Sequence, residues 1–471
     1  MRPPLNHPDR LFPPDPAVRD IARALYGSIR DLPIISPHGH TDPQWFAGNE
    51  KFTDPASLLV IPDHYVLRML VSQGVPLDDL GVPRRDSDGG EVDAEVVWRR
   101  FAENYHLFRG TPTRLWLDHT FETLFGLDEP LGPESADIYF RRIGDCLAQD
   151  DFRPRALYER FGVEVLATTE SAVDPLIHHK AIAESGWDGK VVTTYRPDST
   201  ADPDHPQFLG DLEILGSLTG CDVTRWQGFL DAHRQRRAYF RDHGATATDH
   251  GFPSADTADL SPSDCIVLFD KIIAGGADAS ERALFRAQFL TEMAKMSVED
   301  GMVMQIHPGS VRNHNAAVFE RYGPDKGFDI PARTNYVSAL KPLLNAVGME
   351  PGLSLIVFTL DETTYGRELA PLAGAYPALK LGPAWWFFDS PDGMKRFREQ
   401  TTETAGFYNT VGFNDDTRAF PSIPARHDMA RRIDCAFLAE RVADHRLRED
   451  EAHEIARALT YDLPKAAYRF V

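Results

Sequence analysis

The chain has 471 residues, 42% hydrophobic and 26% charged, enough for a large buried core in one elaborated domain or in two to three smaller ones. Its 50 Lys+Arg against 71 Asp+Glu give a net charge of −21. Such a field repels nucleic acid and anionic membranes but leaves room for an anionic small molecule wherever arginines gather in a pocket. Cys146, Cys221, Cys265 and Cys435 form no CxxC or Cys/His cluster and read as reduced core thiols. The opening MRPPLNHPDRLFPPDP has no apolar signal core, and no run elsewhere approaches a membrane span, so a soluble cytoplasmic protein is expected.

In chain order, "PPDPAVRDIARALYGSI" predicts a helix with Asp15 as N-cap, Pro16 in its first turn and one apolar face made by Val18, Ile21, Ala22, Leu25 and Ile29. The short apolar run "LPIIS" follows and leads into "SPHGHTDP" (36–43). Residues 45–160 are aromatic, charged and helical in pattern, too long for an ordinary loop, and predict a helical insertion after the first strand. From residue 160 short β-type runs alternate with helical stretches. The runs are "VEVLATT" (163–169), "KVVTTYR" (190–196), "ATATDH" (245–250), "MVMQIH" (302–307), "SLIVFTL" (354–360), "LKLGPAWW" (379–386) and "TVGFND" (410–415). Helices are expected at 281–297, 336–348 and 393–406, and again after Ala425. Eight strands alternating with helices predict a single α/β domain over 1–471, a (β/α)8 TIM-type barrel with a helical C-terminal tail.

Chemistry-bearing residues follow nearly every run: His38 and His40, Glu170, Arg196, Asp249 with His250, His307, Asp361 with Glu362, Trp385 with Trp386, then Asp415, Asp416 and Arg418. In such a barrel the catalytic groups sit at the C-terminal strand ends. Residues i and i+2 of a strand share a face, so His38 and His40 can turn into one mouth. Asp416, at the end of the strand that closes the barrel beside the first, completes a His2Asp set for a divalent metal. The lysine and further histidines that a two-metal hydrolase needs are missing from these ends, which favours one ion. Arg196, Arg312, Arg418 and Arg426 also follow strands, and their convergence makes a carboxylate or phosphate pocket. No GxGxxG or P-loop accompanies them, so no nucleotide cofactor is expected.

Together "SPHGHTDP", "DHYVLRML" (63–70), "TYRPD" (194–198), "TDHGF" (248–252), "QIHPGSVRNHN" (305–315), "GPAWWFFD" (382–389) and "DDTRAFPSIPARHDMARR" (415–432) resemble the uronate isomerase (glucuronate isomerase) family, an outlying branch of the amidohydrolase superfamily. The resemblance runs from about residue 15 to the C-terminus. It implies a distorted (β/α)8 barrel, one divalent metal, typically Zn2+, and interconversion of D-glucuronate with D-fructuronate and of D-galacturonate with D-tagaturonate. It also implies His38, His40 and Asp416 as metal ligands, and matches Tyr65, Arg196, Asp249, His307, Arg312 and Arg418 to substrate and catalytic positions. "NDDTR" departs from the family pattern, which has a threonine before the aspartate of Asp-x-Arg; Asp415 thus rivals Asp416, and the spacing to Arg418 favours Asp416.

An aldose–ketose interconversion moves a proton from C2 to C1 through a cis-enediol. It needs a positive group on the oxygens, a base, and a clamp on the distal carboxylate. Asp416 and Tyr65 are expected to handle the proton, with Tyr65 as a tyrosinate or a relay, and Arg418 to stabilise the enediolate. Arg196, His307 and Arg312 are expected to hold the carboxylate and hydroxyls, and Asp249 to bind hydroxyls or orient a neighbour. Trp385 is expected as pocket wall, and Arg426 as a further pocket residue or a structural one. Tyr65 also reads as a packing residue of an amphipathic helix, and Glu170 and Asp361 as helix caps outside the site. The competing reading is a mononuclear metal-dependent hydrolase of an amide or lactone, and a catalytically inactive sugar-acid binder is a third. Partners beyond the small substrate are not expected, apart from a possible homo-oligomer.

Overall fold

The computed structural model describes residues 5–86 and 92–470. Seven strands form one sheet: β1 (Ile34–Ser36), β2 (Val163–Ser171), β3 (Lys190–Arg196), β4 (Ala247–His250), β5 (Val303–Ile306), β6 (Leu355–Thr359) and β7 (Leu379–Ala384). Every neighbouring pair is parallel and the spatial order is the chain order. The connections between the later strands are helical, as parallel pairing requires.

The eighth predicted strand is not one. "TVGFND" makes a single bridge, Leu381 to Thr410, with Leu381 N–H donating to Asn409 O (2.9 Å) and Val411 N–H to Leu381 O (3.2 Å). Gly412 (φ 78°) and Asp416 (φ 40°) take left-handed backbone, which interrupts an extended run. The far end of this segment still reaches β1's side, where His40 N–H donates to Thr417 O at 3.1 Å.

Between β1 and β2 the described residues form helices and no strand, from Pro43–Gly48 through Pro112–Thr123 to Pro154–Arg160, around their own aromatic core with Trp98, Phe101, Tyr105 and Phe121. The N-terminal helix Pro16–Ile29 forms as predicted: Asp15 accepts from the N–H groups of Ala17 and Val18. Its Ala22, Leu25 and Ile29 join Cys435 and Leu438 of the C-terminal helix Ile423–Ala443 in one buried cluster. The helix expected over 336–348 is shorter, Lys341–Val347, because Pro342 fits only its first turn. All four cysteines are free, three of them buried.

One apolar cluster takes Ile35, Val165, Ala247, Val303, Ile356 and Val411 from successive strands and the 410–415 segment, plugged by Tyr468 and Phe470 of the tail. The Tyr468 hydroxyl donates to Gln305 Oε1 (2.9 Å) and accepts from Asn414 Nδ2 (2.8 Å), so the tail is tied to both sides of this core. Above it, Phe358 of β6 stacks on His307 (centroids 3.9 Å, 19°). Gly382 on β7 makes room for that ring: a Cβ there would lie 2.5 Å from Phe358 Cδ1. Gly382→Ala is expected to lower stability by about 1–3 kcal/mol through overpacking, read from the urea midpoint of unfolding.

Candidate metal and substrate site

The C-terminal ends of the strands open into one cavity of about 1130 Å3, whose lining includes His38, His40, Tyr65, Glu170, Arg196, Asp249, His307, Arg312, Trp385, Asp416 and Arg418. Ten of the eleven residues singled out for the site from the sequence are therefore on its wall. Arg426 is the exception. It is fully buried, its guanidinium bonding to Asp389 Oδ2 (2.8 Å), Asp415 O (3.2 Å) and Ser422 Oγ (3.2 Å) and lying 3.6 Å above the Trp116 ring. It stands 5.6 Å over the Tyr65 ring and supports that residue from behind.

At the floor, Asp416 Oδ1 lies 3.3 Å from His40 Nε2 and 3.6 Å from His38 Nε2, and accepts no hydrogen bond although it is buried. Asp416 Oδ2 accepts the indole N–H of Trp385, so Trp385 holds the carboxylate instead of merely walling the cavity. Burial pushes both imidazoles toward the neutral form, His40 down to about 3. Burial works to raise the Asp416 carboxyl, but the surrounding His38, His40 and His307 and the Trp385 N–H outweigh it and keep its pKa below the ordinary carboxylate value. An ionised carboxylate oxygen facing neutral imidazole nitrogens without a hydrogen bond is a set of converging acceptors. That donor set fits a divalent cation of the zinc type.

His307 joins this cluster more closely than the sequence implied. One donor atom each of His38, His307 and Asp416 lie within 4.8 Å of one another, and the His38 and His307 rings stack at 4.6 Å. His307 Nδ1 bonds to Asp249 Oδ1 (2.6 Å), while its Nε2 is buried without a partner. Burial works to raise Asp249, yet His307 and Arg196 (NH1 to Oδ2, 3.1 Å) hold it well below the usual carboxylate range. Asp249 thus fixes both a histidine and an arginine of the cavity.

The choice between the two adjacent aspartates follows from geometry. Asp415 turns away and pairs with His427 Nε2 at 3.0 Å behind the site, leaving Asp416 to face the histidines. Tyr65 donates its hydroxyl to Trp386 O (3.1 Å), and burial pushes its pKa well above the ordinary value. Of the two states considered for it, the protonated phenol is the one this environment favours. Arg312 reaches Asp329 (2.9 Å) with Trp386 beneath its guanidinium (5.2 Å), and Arg418 reaches Asp325 (3.1 Å).

Glu170, expected as a helix cap outside the site, is instead a strand residue on the cavity wall. It lies within β2, accepts the Thr193 hydroxyl and faces His179 at 3.8 Å. Its signal in sequence was there, a carboxylate at a strand end like the others. Asp361 does act locally, accepting the Thr364 N–H at 2.8 Å.

The glucuronate isomerase family matches residues 17–468 of this sequence. The chain belongs to that family. It is 64% identical over 465 residues to the uronate isomerase of Mesorhizobium japonicum, covering 99% of both chains. Its structure superposes on the crystal structure of glucuronate isomerase from Caulobacter crescentus with a TM-score of 0.97, 58% identity, and coverage of 99% of this chain and 98% of that one. The uronate isomerase of Thermotoga maritima gives a TM-score of 0.91 at 26% identity, over 98% of this chain and 99% of that one. Among the described residues no helix is long and apolar enough to cross a membrane.

Burial raises the Glu170 carboxyl to about 7 from its usual 4.5. A carboxyl whose pKa is raised on folding contributes fully below about pH 4.5, and its contribution is lost as pH rises to about 7. Glu170→Gln should therefore lose less unfolding free energy than the parent between pH 5 and 7, measured by urea titration at each pH; parallel curves would contradict this environment for Glu170.

Proposed function

We propose that the isomerase reaction of the family runs at the floor of this cavity, over one divalent cation that His38, His40 and Asp416 would hold, with His307 Nε2 as a further donor within reach. The chain is an aldose–ketose isomerase acting on uronates, and family membership sets aside hydrolysis of an amide or lactone. The observation that carries the site assignment is the Asp416 carboxylate. One of its oxygens faces His38 and His40 and the other is held by Trp385, under walls that carry Arg196, Arg312 and Arg418.

We also read the 410–417 segment as the eighth stave of a distorted (β/α)8 barrel and residues 45–160 as an insertion over its mouth. The Leu381–Thr410 bridge, the His40–Thr417 hydrogen bond and the shared interior cluster support this reading. It accounts for functional groups at one end of nearly every strand.

A bound cation of this type supplies a Lewis acid for the carbonyl end of the open-chain sugar. Asp416, ionised and aimed by Trp385, takes the proton from C2 and returns it to C1 while the C2 hydroxyl proton passes to the C1 oxygen, so no proton or electron is gained overall. Tyr65, kept protonated by burial, donates a hydrogen bond to a sugar oxygen and relays its proton instead of acting as a tyrosinate base. Arg418 faces the same floor and stabilises the negative charge that develops on the enediol oxygens. Arg196 and Arg312 clamp the distal carboxylate and hydroxyls, each with geometry fixed by an aspartate. Asp249 keeps His307 and Arg196 in register.

The test is incubation of the purified enzyme with glucuronate, and separately galacturonate, in D2O, following the ketose by NMR. Ketose carrying hydrogen or deuterium at C1 is the expected product; no ketose from either sugar would overturn the proposal. Arg418→Met should fold normally and lose roughly 100-fold in kcat, and full turnover would remove its role.

A further inference from the structure

Arg196, Arg312 and Arg418 are each paired with carboxylates, but not in the same way. Arg196 bonds to Asp198, two residues away (2.9 Å), and to the buried Asp249. Arg312 is held by Asp329, which is itself buried and accepts the N–H of Asn313 at 2.6 Å. Both pairs belong to their own wall. The Arg418–Asp325 pair instead crosses the rim, from the turn after the 410–417 segment to the excursion that follows β5. Its side chains are 42% and 50% exposed and 3.1 Å apart. Among the described residues Asp325 is the one carboxylate within ion-pair distance of Arg418.

The turn that carries Asp325 is fixed by other contacts. Asp325 sits at φ 61°, in the left-handed region that an aspartate enters only at some cost. Gly327 has φ 89°, and a Cβ there would lie 2.4 Å from His64 O, so the turn is pressed against the helix His64–Ser72 that carries Tyr65. At its base, the pairing of Ser310–Val311 with Ile330–Pro331 and the His314 N–H to Phe328 O bond (2.9 Å) close the excursion. Packing therefore sets where Asp325 stands, and Arg418, a long and half-exposed side chain, is the partner that is oriented.

We propose that Asp325 is a positioning residue of the isomerase: from the opposite rim its carboxylate holds the Arg418 guanidinium over the His40–Asp416 floor until the sugar's oxygens take that guanidinium over. An exposed ion pair is weak enough to be exchanged in this way, yet it restricts the rotamers Arg418 samples before substrate arrives. The Asp325 carboxylate stands in for the charged enediol oxygens until they form. The electrostatics agree: partial desolvation in the cavity rim opposes ionisation of the half-exposed Asp325, but Arg418, Arg312 and His40 outweigh it and lower its pKa. The inference rests on the proposed role of Arg418. A carboxylate that only competed with substrate for Arg418 has the opposite signature, since its removal would tighten binding and leave turnover alone.

Steady-state kinetics with glucuronate separate these cases. Asp325→Ala should lower kcat about fivefold with KM nearly unchanged, and Asp325→Glu should recover most of the loss. In an Arg418→Met background, Asp325→Ala should cost nothing further, because it acts through that arginine. Unchanged kcat in Asp325→Ala, or the same loss with Arg418 already removed, would overturn the proposal while leaving the role of Arg418 intact. Full turnover in Arg418→Met alone would overturn both.

Discussion

The Asp416 carboxylate faces two ways, and the chemistry of the site depends on that division. One oxygen points at His38 and His40 without a hydrogen bond; the other takes the Trp385 indole N–H. The left-handed backbone at Asp416 (φ 40°) separates it from its neighbour Asp415, which turns back to His427. Such strain in a non-glycine residue is kept only where surrounding contacts over-determine it. Here those contacts are Trp385 on one side and the His40–Thr417 backbone bond on the other. A carboxylate held this way can serve a cation with one oxygen and a proton with the other.

The second theme is local reversal of charge. A chain of net charge −21 is an unpromising host for an anionic sugar, yet Arg196, Arg312 and Arg418 line one cavity. Each of these three is balanced by an aspartate before substrate binds. In the proposed reaction the sugar's carboxylate and hydroxyls enter by exchange at Arg196 and Arg312 and its enediol oxygens at Arg418, which favours ligands that present oxygens at the arginines' spacing over anions in general. The proposed exchange is easiest at Arg418, whose partner is exposed, and hardest at Arg196, which is gripped by two carboxylates.

Much of this was legible before folding. His38 and His40 after an apolar run, three of the four arginines after the runs, and Asp416 near the end all lie on the cavity, because strand ends in a parallel sheet gather on one side of it. What failed did so for physical reasons. "TVGFND" has strand composition, but Gly412 within it and Asp416 just beyond it take left-handed backbone, and it keeps one bridge. Arg426 opens a helix and resembles a loop arginine in sequence, but its partners Asp389, Asp415 and Trp116 come from distant segments that only the fold assembles. The Trp385 bond to Asp416 and the closeness of His307 to His38 depend on side-chain directions across strands, which periodicity does not encode. Glu170 was visible and was discounted, because a carboxylate that caps a helix and one that faces a cavity look alike in a string.

The central claim, that one cation is shared by the histidine pair and Asp416, is tested most directly by equilibrium dialysis of metal-stripped protein against Zn2+. The account predicts one tightly bound ion per chain, lost in Asp416→Ala and retained in Arg418→Met. Two ions per chain, or unchanged affinity in Asp416→Ala, would contradict it.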